Sequence, residues 1–197
     1  MRIEELTVNG GLLISPEAHR DDRGYFLEAM RADLLTAIRG QAFELAQMNI
    51  SMSKQGTLRG IHATTSPAGQ SKYVTCVVGS IIDVIVDLSW ESPTFGKWSL
   101  AELDSAKGNS VFVPPWAGHG FLAMSPMAKV VYLTSSPYEP GLEVVIDALD
   151  HDLAIPWPSD HAFVRSSRDC EGQSFASYRR ALESRAGFRT GDEQGAP

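Results

Sequence analysis

The sequence predicts an all-β sandwich or barrel with a few short helices, a jelly-roll β-sandwich being favoured, on three observations. Apolar residues alternate with a period of two in runs such as Lys72–Val78 and Lys129–Thr134, not with the 3.6-residue period of a helix. These runs are short, are punctuated by Gly, Pro, Asn or Ser, and recur about every ten residues. No strand–helix–strand rhythm runs through them, which sets aside the parallel α/β classes.

Taken from the N-terminus, Asn9-Gly10-Gly11 is a turn signal and Leu12-Leu13-Ile14-Ser15 a strand expected at a sheet edge. His19 to Glu28 is a charged turn in which Gly24 leads into a short strand. Arg31 to Arg39 is the one good helix of the first half, with Leu34, Leu35 and Ile38 at three-to-four spacing and Gly40 as its stop. Leu45 to Ser51 alternates so that Gln47, Asn49 and Ser51 share a face, and a polar face on an interior strand predicts a lined cavity. In the next strand Leu58, Gly60 and His62 are expected on one face and Arg59 and Ile61 on the other, with strand twist carrying Arg59 towards the His62 side.

The loop Ala63 to Ser71 then leads to Lys72–Val78, which is joined at Gly79-Ser80 to Ile81–Val86, a nearly all β-branched run of the kind buried on both faces. A histidine, an arginine and Lys72 thus flank one loop, and that clustering marks a site. Trp98–Leu103, Ser110–Val113 closed by Pro114-Pro115, Trp116 to Met124 with His119 between glycines, and Lys129–Thr134 complete the strands. Phe175 to Arg185 is read as a terminal helix and residues from about 186 to 197 as a flexible tail.

A chain of 197 residues suits one domain with a real core, so residues 1–197 are read as one unit. Its net charge of −7 argues against nucleic acid or an anionic membrane as partner, while a small anionic ligand needs only local cations. No run is long and apolar enough to span a bilayer, and Met1 to Glu5 carries no secretory pattern, so the expected location is cytoplasmic. Cys76 and Cys170 are too sparse for a disulfide framework or a short-spaced zinc site and are read as free thiols. Gly-x-Ser-x-Gly, Gly-x-Gly-x-x-Gly and P-loop patterns are all absent.

Six motifs carry a resemblance. Asp22-Arg23-Gly24-Tyr25-Phe26-Leu27-Glu28, Leu58-Arg59-Gly60-Ile61-His62, Gln70-Ser71-Lys72, Asp83-Val84-Ile85-Val86-Asp87, Ser92-Pro93-Thr94-Phe95-Gly96 and Ala117-Gly118-His119-Gly120-Phe121 resemble, in order and spacing, the successive motifs of the dTDP-4-dehydrorhamnose 3,5-epimerases. The match runs from about residue 20 to Pro158. The resemblance implies a cupin-type jelly roll, a homodimer, and a dTDP-linked 4-keto-6-deoxyhexose as substrate, with no metal and no organic cofactor. It implies an isomerase of deoxysugar or antibiotic biosynthesis, a family in which some members invert only one centre. The His-x-His pair of metal-binding cupins is missing, since His62 is followed by Ala63 and Thr64.

The chemistry of such a substrate fixes three roles. A ketone at C4 acidifies the hydrogens on C3 and C5, so inversion needs a base on one face, a stabiliser for the enolate, and a proton donor on the other face. An imidazole with an ordinary pKa of about 6.5 suits the base, and a carboxylate on its second nitrogen orients it. By the resemblance the base is His62 and its partner Asp169, the latter in Ser166-Ser167-Arg168-Asp169 where the family has Ser-x-Lys-Asp. Lys72 is the cation near the enolate and Tyr132 the acid. Arg23, Phe26, Glu28, Gln47, Asn49, Arg59, His119, Tyr138, Glu143 and Arg168 match substrate-lining positions, with Arg23 and Phe26 near a subunit boundary.

Three departures stand out: His62-Ala63-Thr64-Thr65 where the rhamnose-pathway enzymes tend to read His-Tyr-Gln, Tyr132-Leu133-Thr134-Ser135 where they carry Tyr-Lys-Thr-Thr, and Pro115-Trp116-Ala117 in place of the usual Glu-Gly-Phe. They are read as an altered pocket, and so as inversion at C3 with or without C5. The alternatives are a full 3,5-epimerase of rhamnose synthesis and, from other classes, a non-catalytic nucleotide-sugar-binding cupin or a metal-dependent oxygenase.

Overall fold

The computed structural model describes residues 1–65, 68–158 and 162–192. In chain order the strands are β1 Arg2–Glu5, β2 Leu12–Ser15, β3 Ala18–Asp21, β4 Gly24–Leu27, β5 Gln47–Lys54, β6 Leu58–Thr64, β7 Lys72–Val78, β8 Ser80–Asp87, β9 Trp98–Asp104, β10 Ser110–Val113, β11 Ala117–Ala123, β12 Met127–Thr134 and β13 Glu143–Ile146. Helix α1 is Ala32–Arg39, α2 Ser167–Cys170 and α3 Phe175–Asp192. One sheet has the order β1-β2-β10-β7-β12-β5 and the other β13-β6-β11-β8-β9, while β3 and β4 pair by themselves. The expected β-sandwich is thus present, with every pairing between named strands antiparallel.

Three buried clusters explain why so many strands read as apolar on both faces. Between the sheets lie Val74, Cys76, Ile81, Ile85, Leu103, Phe121 and Val130 with their neighbours. The outer face of the first sheet is covered by α1, through Leu35 against Leu12, Ile14, Tyr73 and Phe112. The outer face of the second is covered by Leu153, Ile155, Trp157 and Phe175, packed on Leu58, Ile61, Val84 and Leu122. Tyr73 and Val74 therefore enter different cores from one strand, as the pleat requires.

Gly79 passes the chain from the first sheet to the second at φ +75°, and a Cβ there would lie 2.0 Å from Ser125 Oγ, so only glycine fits. Helix α1 closes as expected, with Gly40 left-handed at φ 70° and its N–H bonded to Thr36 O.

Four expectations are corrected. Leu12–Ser15 is not an edge, because β1 pairs on its far side. The strand carrying Gln47 and Asn49 is an edge and not an interior strand, since among the described residues β5 pairs with β12 alone. The terminal helix does not stop at Arg185 but continues to Asp192. Arg59 reaches the His62 side by a β-bulge more than by twist: His119 pairs with His62 and Phe121 with Arg59, so β6 spends one residue more than β11 between them. Residues 66 and 67 of the expected loop and 193–197 of the expected tail lie outside the described residues. Among the described residues, no helix is long and apolar enough to cross a membrane.

Candidate active site

Both sheets contribute to a cavity of about 230 Å³ lined by Asn49, Ser51, Arg59, His62, Lys72, His119, Tyr132, Tyr138 and Glu143, with Gly60, Gln70, Gly120, Phe121 and Thr134 completing the wall. A larger cavity of about 420 Å³ lies against Arg39 and Trp116 and holds none of the expected site residues. The smaller one carries the chemistry.

His62 stands on β6 with each ring nitrogen on a carboxylate: Nε2 is 2.7 Å from Asp169 Oδ1 and Nδ1 is 2.9 Å from Glu143 Oε1. Asp169 is held from three sides. The Gly60 N–H donates to Oδ1 at 3.0 Å, the Ser166 hydroxyl donates to Oδ2 at 2.7 Å, and Arg165 grips its carbonyl oxygen at 2.6 Å. Burial pushes the Asp169 carboxyl up, but the bonds from Ser166, His62 and Gly60 outweigh it and hold the group below the ordinary carboxylate value. Glycine at 60 is required by this approach, since a Cβ would come within 2.7 Å of Asp169 Oδ1. Helix α2 exists for the same reason: Ser166 caps it by accepting the Asp169 N–H at 3.1 Å, which aims the carboxylate at β6.

Lys72 enters from β7 and its ammonium donates to His62 O at 3.2 Å. Burial pushes its pKa down to about 8, with Glu143 and Asp83 partly offsetting the fall. Tyr132 on β12 has its hydroxyl 3.0 Å from Ser51 Oγ. Burial pushes this phenol up to about 12, against smaller downward pulls from Ser51 and Arg59, so it keeps its proton at neutral pH and is available as a donor. His119, opposite His62 in register, is buried with Nε2 2.6 Å from Asp83 Oδ2, and its ring stands edge-on to Tyr132 at 6.0 Å.

At the mouth, Glu143 Oε2 accepts from Arg168 and from the Tyr138 hydroxyl at 3.2 Å, and Arg168 also donates to Tyr138 Oη at 3.0 Å. Burial raises the Glu143 carboxyl, but His62, Arg168 and Tyr138 together bring it below its ordinary value. Among the described residues no group of three or more His, Cys, Asp or Glu is placed to hold a metal ion.

His62, Asp169, Tyr132, Lys72, Arg59, His119, Asn49, Tyr138, Glu143 and Arg168 thus come together. Gln47 sits at the rim, donating to Asn49 Oδ1 at 2.7 Å and accepting the Tyr138 N–H at 3.0 Å. Arg23, Phe26 and Glu28 do not join this cavity. Arg23 is paired with Asp21 on the exposed β3–β4 hairpin, Phe26 is exposed beside it, and Glu28 meets Arg31.

The expected alteration of the pocket is corrected. Ala63 and Leu133 turn away from the cavity, the first into the outer core of the second sheet and the second against the core under α1. Thr64, Thr65 and Trp116 line a separate cavity behind β6. None of the residues that depart from the rhamnose pattern lines the cavity that holds His62 and Tyr132.

Sequence reasoning placed Ser51 on the cavity-lining face but gave it no role, and it passed over Asp83 and Ser166 as site residues. The signal for Asp83 was present, because a carboxylate inside a β-branched run must find a buried partner.

A family model described as dTDP-4-dehydrorhamnose 3,5-epimerase matches residues 5–177. The chain is similar to the dTDP-4-dehydrorhamnose 3,5-epimerase of Mycobacterium tuberculosis, with 40% identity over 181 residues that cover 91% of this chain and 90% of that protein. Among solved structures it is similar to NovW, a 4-keto-6-deoxy sugar epimerase from the novobiocin biosynthetic gene cluster of Streptomyces spheroides, with TM-score 0.89, 41% identity, and 92% and 90% of the two chains covered. It is also similar to ChmJ, a 3'-monoepimerase from Streptomyces bikiniensis in complex with dTDP-quinovose, with TM-score 0.86, 38% identity, and 89% of each chain covered.

Proposed function

Because the chain belongs to the dTDP-4-dehydrorhamnose 3,5-epimerase family, and is therefore an isomerase, we propose that it inverts C3 of a dTDP-linked 4-keto-6-deoxy-D-glucose, with or without C5, through a C4 enolate. The observation that carries this reading is the union of the His62–Asp169 pair with Lys72 and Tyr132 around one cavity. His62 Nδ1 removes the proton from carbon after Glu143 yields its place. Asp169, already ionised, stabilises the imidazolium that forms. The Lys72 ammonium, desolvated in the cavity, meets the charge that develops on the C4 oxygen. Tyr132 delivers a proton to the opposite face and so inverts the centre. A non-catalytic binder has no need of an oriented imidazole and an un-ionised phenol in the same pocket. The reading is tested by proton NMR of the substrate in D2O, where exchange and inversion at C3 are the expected result and a substrate left unchanged refutes it.

Lys72 gives the reaction a pH limit. Only its charged form stabilises the enolate, and with its pKa depressed to about 8 that form is present below pH 8 and lost above it. We expect kcat to fall along an alkaline limb with a midpoint near this value, and we expect Lys72→Met to abolish the limb together with about a hundredfold or more of kcat. A pH–rate profile of both enzymes checks it, and a limb that survives in the variant assigns it to another group.

The protein is further proposed to act as a homodimer. β5 is an unpaired edge, and Met48, Ile50 and Met52 leave it on the solvent side, with Phe26 exposed on the β3–β4 hairpin. An apolar edge of this kind invites another strand or face. Arg23 and Phe26 are proposed to lie near the neighbouring subunit on the family resemblance. Light scattering is expected to give twice the 21.4 kDa chain mass, and Ile50→Lys to shift it towards the monomer. A wild-type monomer across micromolar concentrations counts against the proposal.

A further inference from the structure

Inversion with a base on one face and an acid on the other leaves the enzyme changed. On the mechanism proposed above, His62 Nδ1 ends the cycle with one proton more and Tyr132 with one fewer. Both must be reversed before the same substrate is turned over again. The structure contains a route for the first of these transfers.

Asp169 occupies Nε2, so Nδ1 is the nitrogen that meets substrate. Glu143 Oε1 lies 2.9 Å from that same nitrogen. Its second oxygen, Oε2, is bound by Arg168 and by the Tyr138 hydroxyl, two side chains that are about half exposed at the cavity mouth. When Nδ1 carries the proton taken from carbon, a continuous line of hydrogen bonds runs from the buried base to solvent and passes through one carboxylate. A carbon and Glu143 cannot share Nδ1. Glu143 yields to the substrate and returns after release, which is when the reset is due.

We propose that Glu143 is the proton relay that resets the base, taking the proton from His62 Nδ1 between turnovers and passing it to water at the mouth framed by Tyr138 and Arg168. This role rests on the epimerase reading and goes beyond contact with the sugar. The transfer balances as a simple proton hop. The N–H bond at Nδ1 breaks, an O–H bond forms at Oε1, and that proton leaves to water or a buffer base, while the Tyr132 phenolate regains its proton from solvent. The groups facing Glu143 are His62, Arg168, Tyr138 and, at longer range, Lys72, and three of these favour the ionised carboxylate. A carboxylate held on its ionised side keeps a proton only in passing, which suits a relay and not a store.

Glu143→Gln preserves size, still accepts from Arg168 and Tyr138, and cannot carry the proton. With dTDP-4-keto-6-deoxyglucose labelled with tritium at C3, this variant is expected to lose label from C3, measured after acid quench, in a first-turnover burst and then to continue at a steady rate at least about tenfold lower. That rate is expected to recover as imidazole buffer is raised at constant pH and ionic strength, while the wild type shows neither burst nor buffer dependence. Glu143→Ala provides a second measurement, in which formate restores the steady rate and equal chloride does not. A loss already present in the first turnover and indifferent to imidazole and formate overturns the relay and leaves Glu143 as a contact residue. A wild-type enzyme that releases no label from C3 overturns the epimerase reading itself, so the two failures are distinguishable.

Discussion

His62→Ala is expected to abolish deuterium exchange at both C3 and C5 of the substrate in D2O, a loss of at least about a thousandfold, with the fold retained by circular dichroism. The magnitude is that of removing a positioned general base. The fold should persist because His62 is partly exposed to the cavity and its two partners remain supported: Asp169 by Gly60, Ser166 and Arg165, and Glu143 by Arg168 and Tyr138.

Asp169→Asn is expected to cost less, about ten- to a hundredfold, for a reason specific to this site. In serine hydrolases the corresponding change is severe because the amide forces the imidazole into the wrong tautomer. Here the oxygen that faces His62 also accepts the Gly60 N–H, so an asparagine keeps its oxygen there and turns its NH2 towards Ser166, whose hydroxyl can accept. The tautomer survives, and what is lost is the negative charge that stabilises the imidazolium. NMR exchange rates of the two variants side by side check this. Unimpaired exchange in His62→Ala moves the base to another residue.

How much of this was legible in the sequence depends on the range of the interactions involved. Alternation in Lys72–Val78 and Lys129–Thr134 and the Gly40 stop are local signals, and β7, β12 and α1 follow them closely. Edge and interior status follow from which strands pair: Leu12–Ser15 is covered by β1, a four-residue strand just ahead of it that carries too little pattern to read as one, while the Gln47 strand is left at an edge because its partner β12 is distant in sequence. The position of Arg59 turned on a one-residue bulge, which period-two counting cannot register. Asp169 could not be placed by periodicity at all. It reaches His62 across 107 residues of chain on a four-residue helix whose cap is its own recognition element, and only the motif resemblance connected the two. The same resemblance misled at Ala63 and Leu133. Neighbours in sequence on a strand point to opposite faces, so a changed residue beside a catalytic one is the residue least able to touch what its neighbour touches.

Tyr132→Phe is expected to separate two rates that the wild type keeps together. Net inversion at C3 should fall by about a hundredfold or more, and C3 exchange in D2O by roughly tenfold or less. Removing the phenol takes away the proton for the far face, while His62, Asp169 and Lys72 still form the enolate and His62 can return a deuteron to the face it came from. The substitution leaves Ser51 Oγ without its partner at 3.0 Å, a cost of about 1 kcal/mol that the fold can absorb. Tyr132 is suited to the role because burial holds its pKa near 12, so the proton is present when the enolate needs it and leaves only towards a carbanion-like acceptor. The same spectra report C5. One base reaches C3 and C5 only if the sugar is reseated between steps, and the walls around His62 and Tyr132 carry none of the departures from the rhamnose pattern. Equal exchange and inversion at the two carbons in the wild type therefore identifies a double epimerase, and exchange confined to C3 a single one. If Tyr132→Phe lowers exchange and inversion by the same factor, the phenol acts in proton removal as well, and the acid of the far face is another group.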